Sequence, residues 1–239
     1  DENRSLLGLN QELWLALNLL RSRARWNVLA QQIMVMPWNL KTTGQLSVQF
    51  GPDFPGKDQA LAAIGNLDDL LNVDAWDGYQ GTRERLLWLL DHARPRNPVV
   101  LTGDIHSAWG ARLLQDFGDP QNSDVLAAEF VCTSISSTFA GADPRPTDGI
   151  VRASLPDNPH IGYFDGRFRG YCLCDVNEHR WLTQYRAVGA PEDAIDNDPL
   201  ALIPASGDPV FVSAEAEIDA GFNRRGEAGE LRVLDNLAL

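Results

Sequence analysis

Along Asn10–Arg23 the apolar residues Leu13, Trp14, Leu17 and Leu20 recur at spacings of one, three and four, the stripe of an amphipathic helix. Arg21, Arg23 and Arg25 close it with positive charge, which favours the carboxyl end of a helix dipole. The pattern then shortens: WNVLAQQIMV, Trp26–Val35, predicts a buried strand. A second helix is predicted over RERLLWLLDHA, with Leu86, Leu87, Leu90 and Ala93 on one face, Thr82 as its N-cap, and Pro95 and Pro98 as its stop. The run VVLTG follows, so helix and then strand occur twice and the first half reads as α/β layering.

The second half alternates differently. VLAAEFVC, Val125–Cys132, predicts a strand, and HIGYFDGRFRGYCLCDVNEHRWLTQYRAV, His160–Val188, predicts a meander. Its first turn is expected at Asp165-Gly166, since both positions tolerate the positive φ that tight hairpins need. Between Pro37 and Asn72 scattered Gly and Pro predict a long excursion with one short helix around Gln59–Ile64. From Gly189 onward the chain is acidic and broken by Pro and Gly, with one strand in PVFVSAEAEI. Two units are therefore expected, a main body over residues 1–188 and a C-terminal extension over 189–239.

Composition narrows the function. The 239 residues are 44% hydrophobic, enough for a substantial core, and 33 acidic against 20 basic residues give a net charge of -13. Such a surface excludes a general nucleic-acid binder and suits divalent cations. No apolar run is long enough to cross a bilayer, and DENRSLLGLNQ shows no leader. The three cysteines include no CxxC pair. Cys172 and Cys174, two apart, share one strand face; that suits a metal or a core, and the buried habit of free cysteine favours the core, as it does for Cys132.

The candidate chemistry is in PVVLTGDIHSAWG. A buried strand stops at Gly103 and presents two potential metal ligands, Asp104 and His106. Active sites of open α/β sheets sit at such carboxyl ends. Asp and His also form turns, so the tetrapeptide alone does not decide. The hydroxyl cluster TSISST, Thr133–Thr138, lacks the G-x-S-x-G elbow of a serine nucleophile, and His92 and His179 read as surface residues. Asp68-Asp69 reads as a solvated helix face.

Five blocks in order, ARWNVLAQQIMV, DAWDGYQGTRERLLWLL, NPVVLTGDIHSAWG, AAEFVCTSISS and NPHIGYFDGRFRGY, closely resemble the C-terminal half of PhoD-like alkaline phosphatases, the alkaline phosphatase D family of calcineurin-like metallophosphoesterases. The resemblance covers about Leu6 to Val188. It implies an α/β (mixed α+β) fold, part of a metallophosphoesterase-type two-sheet sandwich flanked by helices. It implies hydrolysis of phosphomonoesters, and also phosphodiesters, at alkaline pH through a metal-activated hydroxide, with iron and calcium as the metals. Asp104 falls on a metal-ligand position, and His106 on that of a ligand or close phosphate contact. Trp76 and Tyr79 match a block near the site, where substrate-pocket lining competes with packing and turn formation. His160 reads either as support behind the metal ligands or as a structural hydrogen-bonder. The family is exported, so a secreted or periplasmic location is implied.

One departure qualifies this. The family's early Asp, Cys, Asn and W-D-D-H-E-like ligands have no match here, so the chain is expected to supply the C-terminal part of a site, with the missing N-terminal half as its partner and a phosphate ester as substrate. The alternative is a non-catalytic module, truncated or degenerate, that binds a partner. An exposed apolar face on Asn10–Val35 would mark a missing half.

Overall fold

In the computed structural model, residues 4–39, 74–139, 145–189, 210–221 and 231–236 are described. Most of the expected excursion and its short helix lie outside them. The elements are α1 (Leu9–Arg21), β1 (Asn27–Ala30), a 3-10 turn (Trp76–Tyr79), α2 (Gln80–Ala93), β2 (Pro98–Thr102), β3 (Ala108–Leu114), β4 (Val125–Val131), α3 (Arg145–Ser154), β5 (Ile161–Asp165), β6 (Gly170–Val176), β7 (Arg180–Val188), β8 (Val210–Asp219) and β9 (Leu231–Asn236). The first five strands form one sheet in the order β1-β2-β4-β3-β5, and the last four a second sheet in sequence order. The fold is thus mixed α/β with two sheets, as expected. No helix among the described residues is long and apolar enough to cross a membrane.

β1, β2 and β4 run parallel; β3 runs antiparallel to β4, and β5, antiparallel to β3, returns to the direction of the first three. Val99 and Val100 of β2 are fully buried because both faces of the sheet are covered. One face receives α2 through Leu86, Leu87, Leu90 and Ala93, the stripe read from the sequence. Val99, Ala128, Phe130 and Tyr163, on the other face, pack against Trp181 and Tyr185 of the second sheet. Helix, sheet and sheet therefore form three layers.

Local chemistry explains where the expected elements shift. β1 ends at Ala30, not at Val35: the apolar residues beyond it are buried, but the Val35 and Met36 N–H groups donate to the carboxylate of Glu129 instead of to a strand. Thr82 does not cap α2, because the helix grows directly out of the 3-10 turn and begins at Gln80. The Thr82 hydroxyl instead accepts from the Leu6 N–H at 3.1 Å and donates to the Arg4 carbonyl at 3.2 Å, holding the N-terminal segment on α2. Arg94, at φ 46°, ends the helix in the left-handed conformation ahead of Pro95.

Asp165-Gly166 is no hairpin. β5 pairs with β3 in one sheet and β6 with β7 in the other, so this dipeptide is a crossover between sheets. The Asp165 carboxylate accepts from the Arg167 and Phe168 N–H groups, and a Cβ on Gly166 would meet Phe139 at 2.7 Å. The glycine there makes room for an aromatic ring. Gly170 makes room for backbone: a Cβ would lie 1.9 Å from the Arg186 carbonyl oxygen. The true hairpin turn lies at Asn177, whose side chain accepts from the His179 and Arg180 N–H groups. β8 and β9, in the expected extension, continue the second sheet from β7.

Candidate active site

Because β1, β2 and β4 are parallel, the three segments after them emerge on the same edge. Backbone hydrogen bonds hold these segments together: Gln31 N–H to the Leu101 carbonyl at 3.0 Å, Gly103 N–H to the Gln32 carbonyl at 3.2 Å, and Cys132 N–H to the Thr102 carbonyl at 2.9 Å. Asp104 and His106 stand on the middle segment, both exposed.

Both adopt the left-handed conformation, Asp104 at φ 67° and His106 at φ 62°. Outside glycine this costs about 1–2 kcal/mol per residue. Two such residues in one short loop are a backbone that the surrounding hydrogen bonds hold in place. His106 Nδ1 lies 3.2 Å from the Thr138 carbonyl, which can only accept, so Nδ1–H donates there and Nε2 is the ring nitrogen left to a ligand. The Thr133 hydroxyl lies 3.3 Å from the His106 carbonyl and 3.0 Å from that of Phe168. Thr133 and Ser134 thus spend their hydroxyls on backbone carbonyls, Ser134 on that of Ser137.

Under the loop runs a buried polar network absent from the sequence reading. Trp76 Nε1–H donates to Gln31 Oε1 at 3.1 Å, Gln31 Nε2–H donates to Thr102 Oγ1 at 2.6 Å, and the Thr102 hydroxyl donates to Glu129 at 2.7 Å. Thr102 immediately precedes Gly103. Glu129 is fully buried, and burial raises its pKa while its hydrogen-bond donors act in the opposite direction. One charged letter inside VLAAEFVC was the available signal.

The remaining candidates are placed as follows. Trp76 is 2% exposed and belongs to this network, with its ring in the core. Tyr79 is half-buried; its hydroxyl accepts from Arg4 at 3.0 Å and its ring lies under that guanidinium at 4.4 Å. Asp77 is buried in an ion pair with Arg83. His160 precedes β5, at the end remote from Asp165, whereas Asp165 pairs with Ala108 just past the Asp104 loop. Its Nε2–H donates to the Pro37 carbonyl at 2.8 Å, and its ring meets Phe117 edge-on. Cys132, Cys172 and Cys174 are half-buried thiols.

Burial, with the Arg112 and Arg83 charges adding to it, lowers the His160 pKa to about 4. In the unfolded chain the same group titrates near about 6.5. The folded state therefore resists protonation, and the stability present above pH ~6.5 is lost as pH falls towards ~4, by about 3 kcal/mol. Urea unfolding across this range should show a steeper acid loss for the wild type than for His160→Gln, which keeps an N–H donor but cannot titrate. Parallel curves would contradict this assignment.

A two-sheet α/β domain with a strained polar loop at the carboxyl ends of parallel strands has the layout of a ligand-binding α/β domain. The PhoD-like phosphatase family matches residues 1–185, and the chain belongs to that family. It is 40% identical over 189 residues to alkaline phosphatase D of Bacillus subtilis (strain 168), a match covering 79% of this chain and 27% of that protein. The solved structure of PhoD superposes with a TM-score of 0.70 at 32% identity, covering 98% of this chain and 36% of that one. The chain thus spans about a third or less of the length of these relatives.

Proposed function

We propose that this chain contributes the Asp104 and His106 arm of the active site of a metal-dependent phosphate-ester hydrolase working at alkaline pH. The observation that carries the reading is the loop itself: two left-handed residues at the end of a central parallel strand, with the imidazole fixed as the tautomer that can coordinate. Kinship with alkaline phosphatase D supports phosphate esters as the substrate class, and this reading takes in both mono- and diesters.

The donors fit the metals that the family implies, iron and calcium. A carboxylate suits hard cations and an imidazole suits iron. Metal ions bound there would neutralise phosphoryl charge and ease deprotonation of an attacking water. This chain's residues would do the positioning. Asp104 offers an anionic oxygen, Thr138 holds His106 with Nε2 outward, and Gly103 pins the loop to Gln32. Among the described residues no group of three or more ligating side chains gathers, and in this reading the further ligands belong to the N-terminal half.

The apolar face of α1 supports an additional stretch of protein, the N-terminal half in this reading. Leu9 is 70%, Trp14 62% and Leu13 52% exposed, and a groove of ≈ 630 Å³ separates Trp14 and Leu19 from Val28 of the edge strand β1. A face of this kind marks an interaction site. It equally suits the second reading, a non-catalytic module that binds a partner there. A secreted or periplasmic location is part of the first reading.

Metal content by elemental mass spectrometry, beside p-nitrophenyl phosphate turnover with iron and calcium supplied, separates the two. The assay is run on the chain alone and on the chain mixed with the N-terminal part of B. subtilis alkaline phosphatase D. Metal retention with turnover in either preparation is the expected result. Neither metal nor turnover in both would overturn it in favour of the binding module.

A further inference from the structure

Just past β4 the chain meets the start of β6, where the Gly170 N–H donates to the Ser134 carbonyl at 2.9 Å. Cys132 lies two residues before Ser134 and Cys172 two residues after Gly170, so an antiparallel course through that bond sets the cysteines opposite one another across the seam between the sheets. Residues directly opposite in an antiparallel pair have Cα atoms about 4.5–5.5 Å apart. Disulfides need about 4.4–6.8 Å. The two side chains also meet: Cys172 is the neighbour that acts most strongly on the Cys132 thiol. Cys174, on the same strand, has its sulfur 3.7 Å from the Thr183 hydroxyl.

We propose that Cys132 and Cys172 are a redox pair that closes to a disulfide across the two sheets, Cys132 attacking and Cys172 resolving. Donation from Cys172 lowers the Cys132 thiol to about 7, while contact with Cys132 and then burial raise Cys172 well above the usual range. Cys132 is also the less buried of the two, which fits the attacking role. With a small-molecule disulfide such as oxidised glutathione as oxidant, the Cys132 thiolate attacks one sulfur, forms a mixed disulfide and expels one glutathione thiolate. Cys172 Sγ then attacks the Cys132 sulfur and expels the second. Two protein thiols are oxidised to one disulfide, one glutathione disulfide is reduced to two thiols, and the two thiol protons pass to the leaving glutathiones.

The bond has a consequence for the loop above it. Cys132 opens the segment whose Thr138 carbonyl holds the His106 ring and whose Ser136 and Ser137 carbonyls accept from Arg169. Oxidation would clamp the base of that segment to β6. The pairing rests on strand register and side-chain contact alone and stands whether or not the hydrolytic reading holds.

The test is incubation of the folded 239-residue chain with oxidised glutathione, followed by alkylation, intact mass and peptide mapping. The expected product has lost two hydrogens, carries one cross-linked peptide pair containing Cys132 and Cys172, and is alkylated only at Cys174. In Cys172→Ser the reaction should halt with one glutathione on Cys132, and Cys174→Ser should form the bridge as the wild type does. A bridge that includes Cys174, a wild type arrested as the mixed disulfide, or three thiols still open to alkylation would each overturn the proposal.

Discussion

On the proposed function, Asp104→Asn in the full-length protein supplied with metal is expected to cut phosphoesterase activity by at least about 100-fold and to release bound metal, with little change in folding. The scale follows from ligand chemistry: altering a group that merely supports a metal ligand costs about 10–100-fold, and loss of a ligand's charge should exceed that. The substitution is clean because of the backbone. At φ 67° most residues would be strained, but asparagine accepts the left-handed region as readily as aspartate. Asparagine also preserves size and leaves Asp104 exposed to solvent, so no buried partner is orphaned. Alanine would confound lost charge with backbone strain. Metal stoichiometry, p-nitrophenyl phosphate kinetics and urea unfolding, measured together on wild type and variant, separate the possibilities. Unchanged turnover with unchanged metal would remove Asp104 from the site, and loss of activity with equal loss of stability would make its role structural.

How far the sequence revealed this arrangement depended on whether a residue's environment was local. The α1 and α2 stripes and the core of β2 were legible, since each follows from periodicity within one element. The Asp104 loop was legible as an interruption, an aliphatic run that ends in glycine and two ligand types. Its left-handed geometry was not, because no spacing encodes φ. β3 escaped notice: AWGARLL shows no alternation, as sheet, helix and second sheet bury both of its faces. Asp165-Gly166 carried a true local preference that tertiary structure overrode, sending the next strand to the other sheet. The exposed face of α1 shows the converse. Its stripe was read correctly as helical, yet Leu13, Trp14, Leu17 and Leu20 all lie exposed, and the core contact is made by Leu19 with Leu15 and Ala16, so an apolar pattern specified a helix without specifying which side is covered.

Glu129 tests the same distinction energetically, and Glu129→Gln is expected to lower the melting temperature by roughly 2–12 °C. The carboxylate sits fully buried on the central strand β4 and accepts from the Val35 N–H at 2.9 Å, the Met36 N–H at 2.8 Å and the Thr102 hydroxyl at 2.7 Å. Every partner donates, so both side-chain oxygens must accept. Glutamine has nearly the same shape but replaces one oxygen with an NH₂ that faces a backbone N–H, donor against donor. Leaving a buried donor unmatched costs about 1–3 kcal/mol. For a domain of this size each kcal/mol shifts the midpoint by about 2–4 °C, which gives the expected drop. Glu129→Ala should fall further, since it strands two backbone N–H groups and a hydroxyl and opens a cavity. Thr102→Val, which removes only one of the three donors, should fall least. That ranking, read from thermal or urea unfolding, is the informative result: a Gln variant as stable as wild type would mean that an uncharged acceptor suffices to hold residues 35 and 36 against the sheet. If the ranking holds, the strand that ends in Gly103 is anchored from below by one carboxylate, and the stability of the fold and the placement of the Asp104 loop share a single buried contact.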